Sequence, residues 1–212
     1  MIKFSKKYSG IAKLKKNYFS DNSIFLRNIL SINKHYSKQN IRKVCKICEY
    51  KLKKKSSFKS FYINYSFCKK CGHLNGIYED SKKFHKFLYS GNMKQNNFEK
   101  IYTKNYKEIV RNIHKPKVDF LKKVVNKKLN LLDFGTGAGH FVRACLNKKI
   151  NAWGIEENDN LVRFGNKKVR GRILQSKSTN LEHIIKKYKI NCLSLIFVLE
   201  HLKDPNYIFK IF

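Results

Sequence analysis

The stretch that decides the fold is Leu131-Leu132-Asp133-Phe134-Gly135-Thr136-Gly137-Ala138-Gly139. Apolar residues 129–132 predict a short strand, and the apolar spacing from Phe141 to Leu146 predicts a helix directly after the glycines. Glycines let the backbone turn sharply and let a ligand approach without meeting a Cβ atom, while the start of the helix offers free N–H groups. The stretch therefore indicates a ligand site between strand and helix. A tight turn without a ligand is the alternative.

An acidic residue follows the next predicted strand, which covers residues 150–155. Glu156 stands about 20 residues past Gly135, where nucleotide sites place a carboxylate for ribose hydroxyls. That pairing fits NAD or S-adenosylmethionine. Dinucleotide loops read G-x-G-x-x-G because a pyrophosphate sits on the helix start, whereas this loop reads G-x-G-x-G with Asp133 before it. A carboxylate there repels a pyrophosphate and suits a ligand with an amino group and a sulfonium.

The same alternation of strands and helices continues downstream. Helices are predicted over residues 161–168 and 181–187, and strands over 172–174 and 192–198. Four short strands separated by helices predict an α/β fold with a parallel sheet.

Two motifs resemble those of class I methyltransferases. The D-x-G-x-G-x-G loop at 133–139 resembles their first motif. Residues 195–205, LIFVLEHLKDP, resemble the VLEH-x-x-DP segment that ends the fourth strand in a branch with small-molecule and polysaccharide-biosynthesis enzymes. The resemblance covers about 43–212 and is firmest over 131–160 and 191–205. Asn191 departs from it, because members of the family usually have Asp there.

The resemblance implies a Rossmann-like class I sheet, incomplete here, with about four strands in the order 3-2-1-4. It implies S-adenosylmethionine as cofactor and a small-molecule acceptor, such as a nucleotide sugar or glycan precursor. His201 is the implied general base, with a role in capping the loop as the alternative. The implied cofactor-binding residues are Asp133, Gly135, Thr136, Gly137 and Gly139 for the methionine part and ribose, Glu156 for the ribose hydroxyls, Gln175 and Ser176 for the adenine, and Phe197 beside the methyl group. Since complete members have seven strands, we expect a carboxy-terminal truncation and doubtful activity for this chain alone.

Four cysteines form two pairs, Cys45-x-x-Cys48 and Cys68-x-x-Cys71. C-x₂-C-x₁₅₋₂₀-C-x₂-C is a zinc pattern, and four thiolates close the coordination shell, so a structural Zn²⁺ is predicted. Four unmetallated thiols are the alternative. A zinc ribbon before this domain resembles sugar methyltransferases, and also some ribosomal-RNA methyltransferases.

The charge is strongly positive, with 47 Lys and Arg against 14 Asp and Glu and a formal net charge of +33. Lys dominates, together with the Asn, Ile, Phe and Tyr that AT-rich codons produce. Because the excess is spread along the chain, genome composition is the favoured cause, and a nucleic-acid site is the alternative. An RNA methyltransferase and a non-catalytic interaction protein therefore remain as rival functions.

The pattern divides the chain into four parts. They are a basic amino-terminal segment at 1–42, a zinc ribbon at 43–78, a helical connector at 79–128 and a methyltransferase domain at 129–212. No apolar run reaches the roughly 18 residues of a membrane span, and residues 1–16 lack the features of a secretory signal. The sequence therefore predicts a cytoplasmic protein without a membrane span.

Overall fold

The structure, a computed structural model, describes residues 18–53, 57–89, 103–176, 180–202 and 204–212. Parts of all four predicted segments lie outside the described residues: 1–17 of the amino-terminal segment, 54–56 of the zinc ribbon, 90–102 of the connector, and 177–179 and 203 of the methyltransferase domain.

The chain divides into two units. The ribbon unit consists of the described residues within 17–95 together with 204–210. The sheet unit consists of the described residues within 96–202 together with 211–212.

The ribbon unit contains a small antiparallel sheet between two helices in the sequence. The three strands lie in the order β1-β2-β3. Its elements are α1 (Tyr18–Tyr36), β1 (Phe58–Ser60), β2 (Ile63–Phe67), β3 (Leu74–Gly76) and α2 (Lys82–Tyr89).

Tyr36 ties α1 to the rest of the ribbon unit. Its hydroxyl donates to the carbonyl of Tyr78 at 2.5 Å, and its ring packs against Phe84 with 5.1 Å between centroids. Gly76 leaves room for this ring, because a Cβ atom there would lie 2.5 Å from the Tyr36 hydroxyl oxygen. A buried aromatic pair of this kind stabilises the unit beyond the area it buries.

The sheet unit alternates helices with parallel strands. No helix in the described part of the chain combines the length and apolar composition needed to cross a membrane. The strands are β4 (Asn130–Phe134), β5 (Asn151–Glu156), β6 (Ile173–Gln175) and β7 (Cys192–Ser194). The helices are α3 (Tyr106–Ile109), a π-helical turn (Val110–His114), α4 (Lys115–Val124), α5 (His140–Asn147), α6 (Asp159–Val169), α7 (Leu181–Lys187), a 3₁₀ turn (Leu199–His201) and α8 (Pro205–Ile211), of which residues 205–210 belong to the ribbon unit.

The strand order β6-β5-β4-β7 confirms the predicted order and the predicted α/β class. All neighbours run parallel, with Leu131 of β4 level with Ala152 on one side and Cys192 on the other. Because the carboxyl ends of parallel strands meet at one edge, the loops after β4, β5, β6 and β7 lie together there.

The core of the sheet unit forms between β4 and the helices beside it. Leu131, Ala152, Val142 and Val118 are each fully buried, from β4, β5, α5 and α4 respectively. The four residues belong to one contiguous apolar cluster. Each fully buried aliphatic side chain contributes about 1.5–3 kcal/mol, so this cluster fixes the strands that carry the glycine-rich loop.

The fourth strand is shorter than predicted. The prediction extended it from residue 192 to 198, but β7 ends at Ser194 and residues 196–198 form a turn. Phe197 adopts a left-handed backbone with φ +57°, which no strand accommodates. An apolar run alone does not reveal such a turn, which explains the error.

Candidate functional site

The glycine-rich loop leaves β4 and enters α5 through three left-handed glycines. Gly135, Gly137 and Gly139 have φ values of +67°, +58° and +75°. A Cβ atom on Gly135 would lie 2.6 Å from Cγ2 of Val198, so this position also needs the absence of a side chain. The backbone N–H of Thr136 donates to the carbonyl of Ile155 at 2.9 Å and anchors the loop to β5.

Asp133 is a buried carboxylate at the end of β4, only 3% exposed. One oxygen accepts from the Thr136 hydroxyl at 2.7 Å and the other from the Ser194 hydroxyl at 2.6 Å. Burial raises the pKa of Asp133 to about 6, and the charge of Glu156 adds to the rise, against the two hydroxyl donors and Lys117. At neutral pH the base of the loop therefore carries a negative charge shielded from water.

Glu156 holds the loop from the neighbouring strand. One of its oxygens accepts from the backbone N–H of Gly137 at 2.7 Å. The other accepts from the N–H groups of Glu157 and Asn158, each at 2.9 Å. Each carboxylate oxygen offers two lone pairs, and the three N–H groups take three of the four, so Glu156 retains one acceptor position for a hydroxyl group beside the loop.

Gln175 and Ser176 follow on the same edge of the sheet. Gln175 pairs with Glu156 in the register of β5 and β6, and Ser176 comes directly after it. The side-chain amide of Gln175 donates to the carbonyl of Glu157 at 3.2 Å and to the carboxylate of Asp159. These contacts place both predicted adenine-facing residues next to the predicted ribose-binding carboxylate.

The turn after β7 presents an aromatic ring. Phe197 is 76% exposed and left-handed, and the ammonium of Lys117 lies 5.3 Å from its ring centroid. A bulky residue with positive φ is an outlier, and such strain concentrates at functional sites. Because Val198 packs on Gly135, this turn is tied to the glycine-rich loop.

His201 lies at the end of the 3₁₀ turn that follows. Its Nε2 atom is 4.0 Å from a carboxylate oxygen of Glu200, and both side chains are more than half exposed. The 3₁₀ turn that contains His201 directly follows Val198, whose side chain packs on Gly135.

Three further residues belong to this site and were missed from the sequence. Ser194 holds Asp133, Lys117 lies over Phe197, and Tyr106 donates its hydroxyl to the carbonyl of Gly139 at 3.3 Å. A hydroxyl within the apolar fourth strand was a usable signal for Ser194. Lys117 and Tyr106 reach the site through helix packing, which leaves no local pattern.

A second candidate site lies in the ribbon unit, where four cysteines come together. The Sγ atoms of Cys45, Cys48, Cys68 and Cys71 lie within 4.8 Å of one another, with 3.7 Å between Cys45 and Cys71 and 3.4 Å between Cys48 and Cys68. Sulfurs on a tetrahedron about 2.3 Å from zinc are about 3.8 Å apart. The separations suit that geometry and far exceed the roughly 2.05 Å of a disulfide bond.

Both cysteine pairs sit on the same kind of turn. The N–H of Glu49 donates to the carbonyl of Cys45 at 3.0 Å, and the N–H of Gly72 donates to that of Cys68 at 2.9 Å. Glu49 and Gly72 are left-handed, with φ values of +58° and +72°. Two equivalent turns facing one another present four sulfurs to a common centre.

Asn75 supports the first pair and was missed from the sequence. It is 2% exposed, donates to Sγ of Cys45 at 3.5 Å and accepts from the N–H of Lys46 at 2.9 Å. Burial opposes ionisation of Cys45, but N–H donors from Cys48 and Ile47, with Asn75, outweigh it and lower the pKa to about 6. A thiolate is the form that binds metal.

Comparison with known protein families gives a match for the sheet unit. The profile of a protein family described as "Methyltransferase domain" matches residues 104–212, just over half of the 212-residue chain. A search of curated proteins gives no match.

Proposed function

Because the chain belongs to this methyltransferase-domain family, we propose that it transfers a methyl group from S-adenosylmethionine to a small-molecule acceptor. The geometry of the glycine-rich loop is the observation that supports S-adenosylmethionine as the cofactor. Asp133 lies buried beneath three left-handed glycines, and Glu156 accepts from the loop N–H of Gly137 at 2.7 Å.

The residues present fit S-adenosylmethionine. The loop leaves β4 through three left-handed glycines, and the buried charge of Asp133 beneath it favours a cationic ligand over a pyrophosphate. Glu156 would hold the ribose hydroxyls, while Gln175 and Ser176 would line the adenine. When bound, the cofactor supplies a methyl group already activated by its sulfonium. The protein's task is therefore mostly to orient the acceptor and to exclude water.

His201 is proposed to take the proton that the acceptor loses. Support comes from its place in the turn directly after Val198, whose side chain packs on the loop. We expect His201→Gln to lower kcat by about 10²–10⁴-fold while leaving the affinity for S-adenosylmethionine unchanged. A variant with full turnover would assign His201 to holding the turn.

The acceptor is proposed to be a nucleotide sugar or a glycan precursor. The Val198-Leu199-Glu200-His201 segment supports this choice, since it resembles the corresponding segment of small-molecule and polysaccharide-biosynthesis methyltransferases. The cytoplasmic location likewise stays a prediction.

The Cys45, Cys48, Cys68 and Cys71 cluster is proposed to hold a structural Zn²⁺. Four thiolates complete a tetrahedral shell and leave no position for a water, so the metal would stabilise the ribbon unit without taking part in methyl transfer.

Calorimetry with S-adenosylmethionine, S-adenosylhomocysteine and NAD tests the cofactor. We expect the first two to bind and NAD to show no heat of binding, because Asp133 and the short loop disfavour a pyrophosphate. Binding of NAD alone would overturn the proposal. Absence of binding by all three would instead support a non-catalytic role for the fold.

The raised pKa of Asp133 predicts that both the stability of the protein and its affinity for S-adenosylmethionine depend on pH. Its folded pKa of about 6 lies above the ordinary value of 3.8, so the folded state binds more protons between these pH values. Stability without ligand therefore rises as pH falls from about 6 to about 4, by about 3 kcal/mol if Asp133 acts alone. Affinity for S-adenosylmethionine should fall over the same range, because protonation removes the charge.

Urea unfolding of wild type and Asp133→Asn at pH 7 and pH 4.5 measures this effect. We expect the variant to lack most of the gain on acidification, and Asp159→Asn, which changes an exposed acid on the same edge, to keep it. Equal gains in wild type and Asp133→Asn would refute the assignment.

A further inference from the structure

The basic residues of the sheet unit are not evenly distributed, although the sequence alone suggested that they are. Each segment that precedes a strand is cationic and carries no Asp or Glu. These segments read KKVVNKK at 122–128, NKKI at 147–150, KKVRGR at 167–172 and KKYKIN at 186–191. Because β4, β5, β6 and β7 run parallel, all four segments meet at the amino ends of the strands.

Four acids of the same unit lie at the other end. Asp133, Glu156, Glu157 and Asp159 all stand at or just after the carboxyl ends of strands, beside the glycine-rich loop. Lys residues near helix ends commonly offset the helix dipole, at about 0.3–1 kcal/mol each. That effect accounts for one or two cations at each helix end, but it does not account for the absence of acids from all four segments.

A concave site opens within this basic edge. A cavity of about 480 Å³ is lined by the cations Lys128, Arg172, Lys187 and Lys189, together with the rings of Trp153 and Tyr188. Among the described residues, no carboxylate lies within ion-pair distance of any of these four cations. By contrast, Lys148 on the same edge forms an ion pair with Asp119 at 2.9 Å, so it contributes less to the positive potential of this edge.

The rings hold one of the cations in place. Trp153 and Tyr188 stack with 3.9 Å between centroids, and the guanidinium of Arg172 lies 4.9 Å from the Trp153 centroid. Arg172 also donates to the side-chain oxygen of Asn151 at 2.5 Å. A planar guanidinium fixed in this way keeps further N–H donors for a phosphate.

We propose that this pocket, at the amino ends of the strands, binds the phosphate backbone of single-stranded RNA. Exposed cations without acidic partners attract a polyanion, and the Trp153–Tyr188 stack fixes Arg172 so that its remaining N–H groups can contact a phosphate. The pocket lies at the opposite end of the strands from the glycine-rich loop, so it holds RNA rather than presenting an atom for methylation. The proposal is independent of methyl transfer.

Binding of a labelled oligouridine to the full chain, measured over a range of salt concentrations, tests the proposal. The test variant is Lys128→Gln/Lys187→Gln/Lys189→Gln. The matched control is Lys82→Gln/Lys104→Gln/Lys107→Gln, which removes the same charge from exposed positions outside the basic edge. Each lost phosphate contact reduces the slope of log K against log salt by about 0.7, so we expect the test variant to reduce it by about 2. We expect its affinity in 0.1 M salt to fall by about 100-fold.

Three outcomes would overturn the proposal. The first is an equal loss of affinity in the control, which would indicate binding through net charge alone. The second is tighter binding of phosphatidylserine vesicles than of oligouridine, with the same dependence on the three lysines. The third is inorganic polyphosphate binding as tightly per phosphate as the oligouridine, because the pocket would then recognise phosphate and not RNA. Equal melting temperatures of both variants exclude unfolding as the cause.

Discussion

Replacement of Cys45 and Cys48 by serine is expected to abolish zinc binding and to unfold the ribbon unit. The four sulfurs lie within 4.8 Å of one another, so two serines leave too few thiolates for a tetrahedral shell. Structural zinc contributes an apparent free energy of about 10–16 kcal/mol in small domains, which exceeds what a short three-stranded sheet provides. This is the largest stability effect that we expect from any change in the chain.

Metal analysis and hydrogen exchange measure the two consequences. Wild type should contain about one zinc per chain, and the double variant none. Amides of β1, β2 and β3 should lose protection, while those of β4 and β5 keep it. Cys192→Ser is the matched control, because Cys192 lies in β7, outside the cluster. Zinc retained by the double variant, or absent from wild type, would contradict the prediction.

The parallel sheet could be predicted and both candidate sites could be proposed from the sequence, because each shows local signals. The glycines of the loop need left-handed backbone, and the C-x-x-C pairs need the turns that Glu49 and Gly72 complete. Such requirements show in the type and spacing of neighbouring residues. The parallel direction of the strands follows from the alternation of strands and helices, whereas their order was implied by the resemblance to class I methyltransferases.

The parts that were missed depend on residues distant in the sequence. Ser194 reaches Asp133 from the adjacent strand, 61 positions later in the sequence, and Tyr106 reaches Gly139 from a helix 33 positions earlier. The early end of β7 depends on the backbone of Phe197, which is accommodated because Val198 packs on Gly135. None of these contacts has a periodicity that a single sequence displays.

The uneven distribution of charge also could not be recognised from the sequence alone. Along the sequence the lysines are spread over all segments, so codon composition is the simpler explanation for their excess. In the fold, the segments 122–128 and 186–191 meet at one edge, whereas Asp133 and Glu156 lie at the other. Segregation of this kind requires the topology before it can be recognised.

Glu156→Ala is expected to have the largest effect on cofactor binding. One ribose hydroxyl donating to the remaining acceptor position of this carboxylate contributes about 1.5–3 kcal/mol, so its loss should weaken S-adenosylmethionine by about 10–100-fold. The variant also removes the acceptor for the N–H of Gly137 and frees the loop that carries the ligand. Glu156→Gln keeps one acceptor oxygen and should lose less affinity.

Comparison of two ligands separates the role of Glu156 in ribose binding from a general charge effect. S-adenosylhomocysteine has the same ribose without the sulfonium, so a ribose contact predicts equal losses for both ligands in calorimetry. A loss confined to S-adenosylmethionine would mean that Glu156 acts through its charge, as Asp133 does. Glu157→Ala removes a neighbouring, exposed carboxylate and controls for net charge. If Glu157→Ala weakened both ligands as much as Glu156→Ala, the assignment of Glu156 to the ribose would fail, although membership in the methyltransferase family would still hold.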